Sequence, residues 1–147
     1  MFREAGPSDF AAISRLYRQL HPGDPVLDDG SDRTAFAQIL ETRNLSLFVL
    51  EQGGSVIATT YLNVIPNMTR SASPYAVIEN VVVDEGLRGK GLGKQIMAAT
   101  LDVAWEAGCY KVMLQTGSHR PATHAFYRAC GLSGDEKTAY LARPPRS

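Results

Sequence analysis

An α/β fold built on one mixed sheet is predicted by three observations. Short β-branched and aromatic runs alternate with segments whose apolar residues recur at helical spacing. Gly53-Gly54 lies between two of the strand-like runs as a hairpin turn, so the first half pairs antiparallel. After residue 75 the order becomes strand, helix, strand, helix, and a helical crossover is what a parallel pair requires. The expectation is one domain over residues 1–147, with mostly antiparallel strands first and a β-α-β-α half after them.

Each element follows from its own residues. Residues 1–4 make a short first strand. Pro7-Ser8-Asp9 opens a helix to about residue 20, carried by Phe10, Ile13, Leu16, Tyr17 and Leu20. Residues 21–30, rich in Pro, Gly and Asp, form a loop, and Asp32 starts a second helix with Phe36, Ile39 and Leu40. Strands over 45–51 and 55–65 flank the hairpin turn, and 66–74 is a polar loop. A strand over 75–83, a Gly-rich turn, a helix over 92–107 and a strand over 111–116 follow. A last helix covers roughly 122–129, and 136–141 can supply a final strand.

Composition narrows the function classes. Fifteen basic and fifteen acidic residues give a net charge of zero, so no global pull toward nucleic acid or anionic membrane is implied. No apolar run approaches the ~20 residues of a membrane span. The start, Met1-Phe2-Arg3-Glu4, lacks the basic and apolar regions of a signal peptide. Cys109 and Cys130 form no metal-spaced cluster with the three histidines and read as small hydrophobes in a reducing compartment. A cytoplasmic, metal-free protein is expected.

The most informative run is Val81-Val82-Val83-Asp84-Glu85-Gly86-Leu87-Arg88-Gly89-Lys90-Gly91-Leu92-Gly93-Lys94. A β-branched strand enters a turn with glycines at alternate positions, and a helix starts with Leu92, Ile96 and Met97 on one face. Glycine lets backbone N–H groups approach a ligand closely. The first N–H groups of a helix have no internal partner and, with the dipole, favour an anion. Arg88, Lys90 and Lys94 add positive charge. The expected ligand is a diphosphate carried on a larger cofactor. Two nucleotide loops fail on spacing: Gln95 follows Gly93-Lys94 where a Walker A loop needs Ser or Thr, and Ile96 stands where G-x-G-x-x-G needs its last glycine.

Arg88, Gly91 and Gly93 do satisfy R-x-x-G-x-G, which resembles the acetyl-CoA loop of the GNAT superfamily of N-acetyltransferases. His124-Ala125-Phe126-Tyr127-Arg128-Ala129-Cys130-Gly131-Leu132 resembles that family's second motif, a helix carrying Phe-Tyr and closed by Gly and an apolar residue. Ile78-Glu79-Asn80-Val81-Val82-Val83 is similar to its central strand. Gly108-Cys109-Tyr110-Lys111-Val112-Met113-Leu114 is similar to a stretch of glucosamine-6-phosphate N-acetyltransferases. The match covers about residues 78–132. Two positions depart from the pattern: Arg120 and Thr123 stand where the family often has Asn before Phe-Tyr, and Glu85 replaces its usual Pro.

The resemblance implies acetyl-CoA on Val81, Val82 and Val83 and on Arg88, Gly89, Lys90, Gly91, Leu92, Gly93 and Lys94. It places the thioester along Val81–Val83, where a bulged strand exposes N–H and C=O groups and a backbone N–H of Val81 or Val82 polarises the carbonyl. It gives Tyr127 the protonation of the departing CoA sulfur, and it implies a homodimer. A phenol near 10 lies above a thiol near 8.5, so Tyr127 serves as hydrogen-bond donor as much as full acid.

Acyl transfer to an amine also needs the amine neutral. Glu79 shares strand parity with Val77, Val81 and Val83, so it either interrupts a buried face or sits where that face opens into a cleft. There it is the candidate base, with partial burial raising its pKa, or a structural carboxylate. Asn80 points the other way and can orient substrate or bridge backbone. Arg70, in the 66–74 loop, can clamp an acidic group on the acceptor, although such an arginine is more often surface. His119 and His124 are lesser candidates for the base. The expected activity is acetyl transfer to a primary amine of a small molecule by direct attack. The alternatives are a protein N-terminus or lysine as acceptor, or a CoA-binding module without turnover.

Overall fold

The computed structural model describes residues 1–146. The chain divides into two compact units, Met1–Leu114 and Gln115–Ser147. The first unit holds the whole sheet. Its elements are β1 (Phe2–Glu4), α1 (Phe10–Leu20), α2 (Ser31–Glu41), β2 (Leu45–Gln52), β3 (Ser55–Ile65), β4 (Tyr75–Val83), α3 (Leu92–Glu106) and β5 (Val112–Met113). The second unit carries α4 (Pro121–Ala129).

The strands lie in the order β1-β2-β3-β4-β5. The first four pair antiparallel, and β4 pairs parallel with β5 at Ala76–Val112 and Val77–Met113. The expected mixed sheet, antiparallel first and parallel after the crossover helix, is what forms. Strand alternation sends Leu47 and Val49 of β2 to one face, where they pack with Ile13 and Leu16 of α1 and with Phe36 and Ile39 of α2. The opposite face takes Leu50 and Ala58 against Ile96 of α3. On that face Thr60 and Thr100 share a buried hydrogen bond of 2.8 Å, and the Thr100 hydroxyl also lies 2.7 Å from Ile96 O. A hydroxyl pair satisfied in this way avoids the desolvation cost of a lone buried hydroxyl.

Helix ends follow their sequence signals. Asp9 is buried ahead of α1 and accepts from Gly6 N at 2.8 Å and from both Nη atoms of Arg3, at 2.8 and 3.0 Å. The Arg3 guanidinium holds its carboxyl below the usual carboxylate range. Gly108 at φ 84° closes α3: Cys109 N donates to Ala104 O and Gly108 N to Trp105 O, the paired bonds of a Schellman end.

Three strand expectations are corrected. The strand over 111–116 is cut to Val112–Met113, because β4 offers pairing positions only at Ala76 and Val77. Residues 136–141 form no strand. A strand needs a ladder and a covered face, and here Tyr140 and Leu141 are 93% and 73% exposed. The third concerns β4. Thr59 pairs with Val82 but Tyr61 with Glu79, so Asn80 and Val81 together oppose Thr60, and Asn80 lies at φ 53°. This bulge shifts the alternation by one residue. Glu79 therefore shares its face with Val77 and Val82, and not with Val81 and Val83.

Candidate active site

The site grows from that bulge. Asp84 N donates to Ile57 O at 2.8 Å, so Asp84 and, two residues back, Val82 turn their backbone groups toward β3. Val81 and Val83 therefore present N–H and C=O to the other edge of β4. That edge carries no β5 partner beyond Val77 among the described residues. The Val83 carbonyl accepts from Arg88 Nε at 3.2 Å. Of the two donors the sequence nominated, Val82 N–H is turned into the ladder, and Val81 N–H faces the open edge.

The turn after β4 is held from both sides. Asp84 accepts from Gly86 N at 3.1 Å and from Arg15 Nη1 at 2.6 Å, and Glu85 N donates to Gln19 Oε1 at 2.9 Å. The Arg15 guanidinium, ahead of the Gly86 N–H, draws the Asp84 carboxyl below its ordinary range. Gly89 and Gly91 lie at φ 81° and 80°, a region that costs other residues strain, and Gly91 caps α3. The helix ladder begins at Gln95 N to Gly91 O, leaving the N–H groups of Leu92, Gly93 and Lys94 ahead of its first rung. Arg88, Lys90 and Lys94 are exposed around them, and a Cβ on Gly91 would meet nothing within 4 Å. An open turn of aimed N–H groups ringed by cations fits a diphosphate.

On the α1 face a cavity of about 220 Å³ adjoins the bulge. Phe10, Ile13, Tyr17, Phe36, Tyr61 and Asn80 are among its lining residues. Burial pushes the Tyr17 phenol up to about 12, partly offset by a hydrogen bond with the Asn80 side chain. Burial raises the Tyr61 phenol as well. Asn80, which the sequence nominated to orient substrate or bridge backbone, lines this cavity from its left-handed position in the bulge.

Glu79 is exposed, without the partial burial expected of it, and it pairs across the ladder with Tyr61, a cavity residue. Arg70 is exposed and does not line the cavity. It lies at φ 54° in a tight turn, with its guanidinium 5.9 Å from the Tyr110 ring centroid. Sequence reasoning did not nominate Tyr17, Phe36 and Tyr61, which line the cavity. Their spacing is that of core residues, and only their aromatic character distinguished them.

The second unit is described by itself. Tyr127 sits half-buried on α4, its ring 5.1 Å from that of Phe126. Gly131 at φ 92° ends the helix as its motif requires, with Leu132 N donating to Tyr127 O and Gly131 N to Arg128 O. His124 Nε2 lies 2.8 Å from Ser118 O, whereas His119 is exposed.

Comparison with known proteins agrees with this construction. The profile of the acetyltransferase (GNAT) family matches residues 10–132. A provisionally assigned acetyltransferase from Agrobacterium tumefaciens str. C58 superposes with a TM-score of 0.93 at 43% identity, covering 98% of this chain and 99% of that one. The crystal structure of glucosamine-6-phosphate N-acetyltransferase from Arabidopsis thaliana gives 0.82 at 28% identity, covering 98% and 97%. In sequence, the glucosamine 6-phosphate N-acetyltransferase of Trypanosoma brucei brucei is 31% identical over 95 residues, 65% of this chain and 63% of that protein. The chain spans about half the length of other curated relatives it matches, 45% and 54% in two plant proteins. With residues 10–132 matched by the profile and the sheet, bulge and glycine turn in place, the chain belongs to the acetyltransferase (GNAT) family.

Proposed function

We propose that the protein transfers the acetyl group of acetyl-CoA to a primary amine of a small molecule by direct attack. The observation that carries this reading is the Val81 N–H, turned by the bulge to an open strand edge next to the glycine turn that starts α3. Relatives named for acetyl transfer to glucosamine 6-phosphate and to aminoglycosides support it.

Acetyl-CoA, when bound, supplies an activated thioester. The N–H groups ahead of Gln95, with Arg88, Lys90 and Lys94, hold the diphosphate. Val81 N–H donates to the carbonyl oxygen as charge develops there, a contribution typically worth ~2.7–4 kcal/mol. The new N–C bond forms as the C–S bond breaks. The amine loses its proton to solvent or to Glu79, whose exposure lets water carry it, and Tyr127 returns one to the departing sulfur as the family resemblance implies. Asn80, held by Tyr17, orients the amine. One domain acting as a cytoplasmic homodimer completes the reading, the dimer resting on family resemblance; light scattering at micromolar concentration tests the assembly.

Two measurements test the activity. Calorimetry with CoA should show binding that Gly91→Val weakens, and a thiol-release assay over a panel of amines should show turnover. Absence of CoA binding in the parent protein refutes the proposal.

A further inference from the structure

The cavity beside Asn80 carries information about the acceptor. Its walls include four rings, those of Phe10, Tyr17, Phe36 and Tyr61. Phe10 and Phe36 meet edge to face at 5.4 Å. Its polar groups are Ser14, Asp32, Asn80 and the two phenols, and neither lysine nor arginine is among the described lining residues. The Arg33 guanidinium is seated on the Phe10 ring at 4.3 Å, and Arg15 is engaged by Asp84 and by Val56 O.

We propose that the acceptor is a primary amine carried on an aromatic body, with its ring packed against the touching Phe10–Phe36 pair and its amine toward Asn80. This rests on the acetyl-transfer reading above and names its substrate class. A phosphate or a polyhydroxylated sugar placed here would lose its water against four rings, with no cation to replace it, and an unpaired charge is costly to bury. An aromatic ring gains both from area removed from water and from edge-to-face contact. The volume of about 220 Å³ is smaller than the ~300–1,000 Å³ of pockets for drug-sized ligands, which favours a body of one or two fused rings. From Phe10 to Tyr17 α1 rises roughly 10 Å, so a short alkyl tether of about two or three atoms lets the amine reach Asn80. In the reaction the amine nitrogen gains the acetyl carbon and loses one proton, while the CoA sulfur gains one.

Tryptamine and glucosamine 6-phosphate are the two probes. With acetyl-CoA present, kcat/KM for tryptamine should exceed that for glucosamine 6-phosphate by about a hundredfold, the worth of one well-buried ring. Calorimetry with tryptamine alone supplies a readout independent of turnover. Phe36→Leu and Ala35→Arg, the second at an exposed lining position on α2, should each weaken tryptamine binding about tenfold with the melting temperature of Ala35→Arg unchanged. Glucosamine 6-phosphate turned over as well as tryptamine overturns the assignment, as does tryptamine binding that neither variant moves. Tryptamine binding that depends on Phe36 in a protein that fails to bind CoA would instead overturn the acetyl-transfer reading and leave the cavity's preference standing.

Discussion

Arg15 and Asp84, 69 residues apart in sequence, meet at 2.6 Å and join α1 to the first residue after β4. The same arginine donates to Val56 O at 2.9 Å, so one side chain spans helix, sheet and turn. Both partners are partly exposed, at 45% and 22% of the side chain, which limits what the pair adds to global stability. Its consequence is local. Asp84 is the residue from which the cofactor turn departs.

Arg15→Gln should therefore weaken CoA binding about three- to tenfold while lowering stability by no more than ~1 kcal/mol. Calorimetry and chemical denaturation measure the two separately. Equal, large losses in both would show that the pair supports the fold at large.

Gly91 at φ 80° has space around its α-carbon but a backbone that disfavours a β-branched side chain. Gly91→Val should fold, lose ~1–2 kcal/mol and bind CoA at least tenfold more weakly. Unchanged CoA affinity would remove the turn from the cofactor site.

Tyr127→Phe keeps the ring beside Phe126 and deletes the hydroxyl. A fall of ~10²–10⁴ in kcat with CoA affinity unchanged is expected for a proton donor to the leaving sulfur. Full activity in this variant, combined with a lowered melting temperature in Tyr127→Ala, would reduce Tyr127 to a packing residue.

Asp9 is buried with its carboxyl held low by Arg3. A depressed folded pKa adds stability that is present above the unfolded value near 3.9 and is lost as pH falls through the folded value. Asp9→Asn should cost about 1–3 kcal/mol at pH 7. The gap between parent and variant should narrow below about pH 4. A gap that persists undiminished at pH 2 would mean that charge is not what Asp9 contributes.

Much of the fold was legible because the signals were local. Gly53-Gly54, Gly91 and Gly131 all adopt the left-handed conformation that their places in a turn or at a helix end demand. The apolar spacing from Phe10 to Leu20 gave α1 its buried stripe. What was hidden depended on distant partners. The alternation in 136–141 looks like a strand, but a strand exists only where another offers it a ladder. The aromatic residues of α1 and α2 looked like core, because a cavity wall and a core face share one periodicity. Glu79 was placed on the right face relative to Val77 and on the wrong one relative to Val83, since strict alternation was carried across a bulge that only the family resemblance implied.

That bulge has a consequence for how the strand is encoded. Val81-Val82-Val83 would be buried equally well in either phase, so the triplet is silent about which of its members faces α1. Asn80 breaks the tie, because it tolerates the left-handed geometry that a β-branched residue resists. One residue therefore sets the reading frame of the strand's second half, and with it which backbone amide is offered to a reacting carbonyl. Deleting Asn80 would leave a more regular ladder, with Val82 still against Thr59 and Glu79 against Tyr61, but would remove the side chain that lines the cavity, so regularity and chemistry pull against each other at this position.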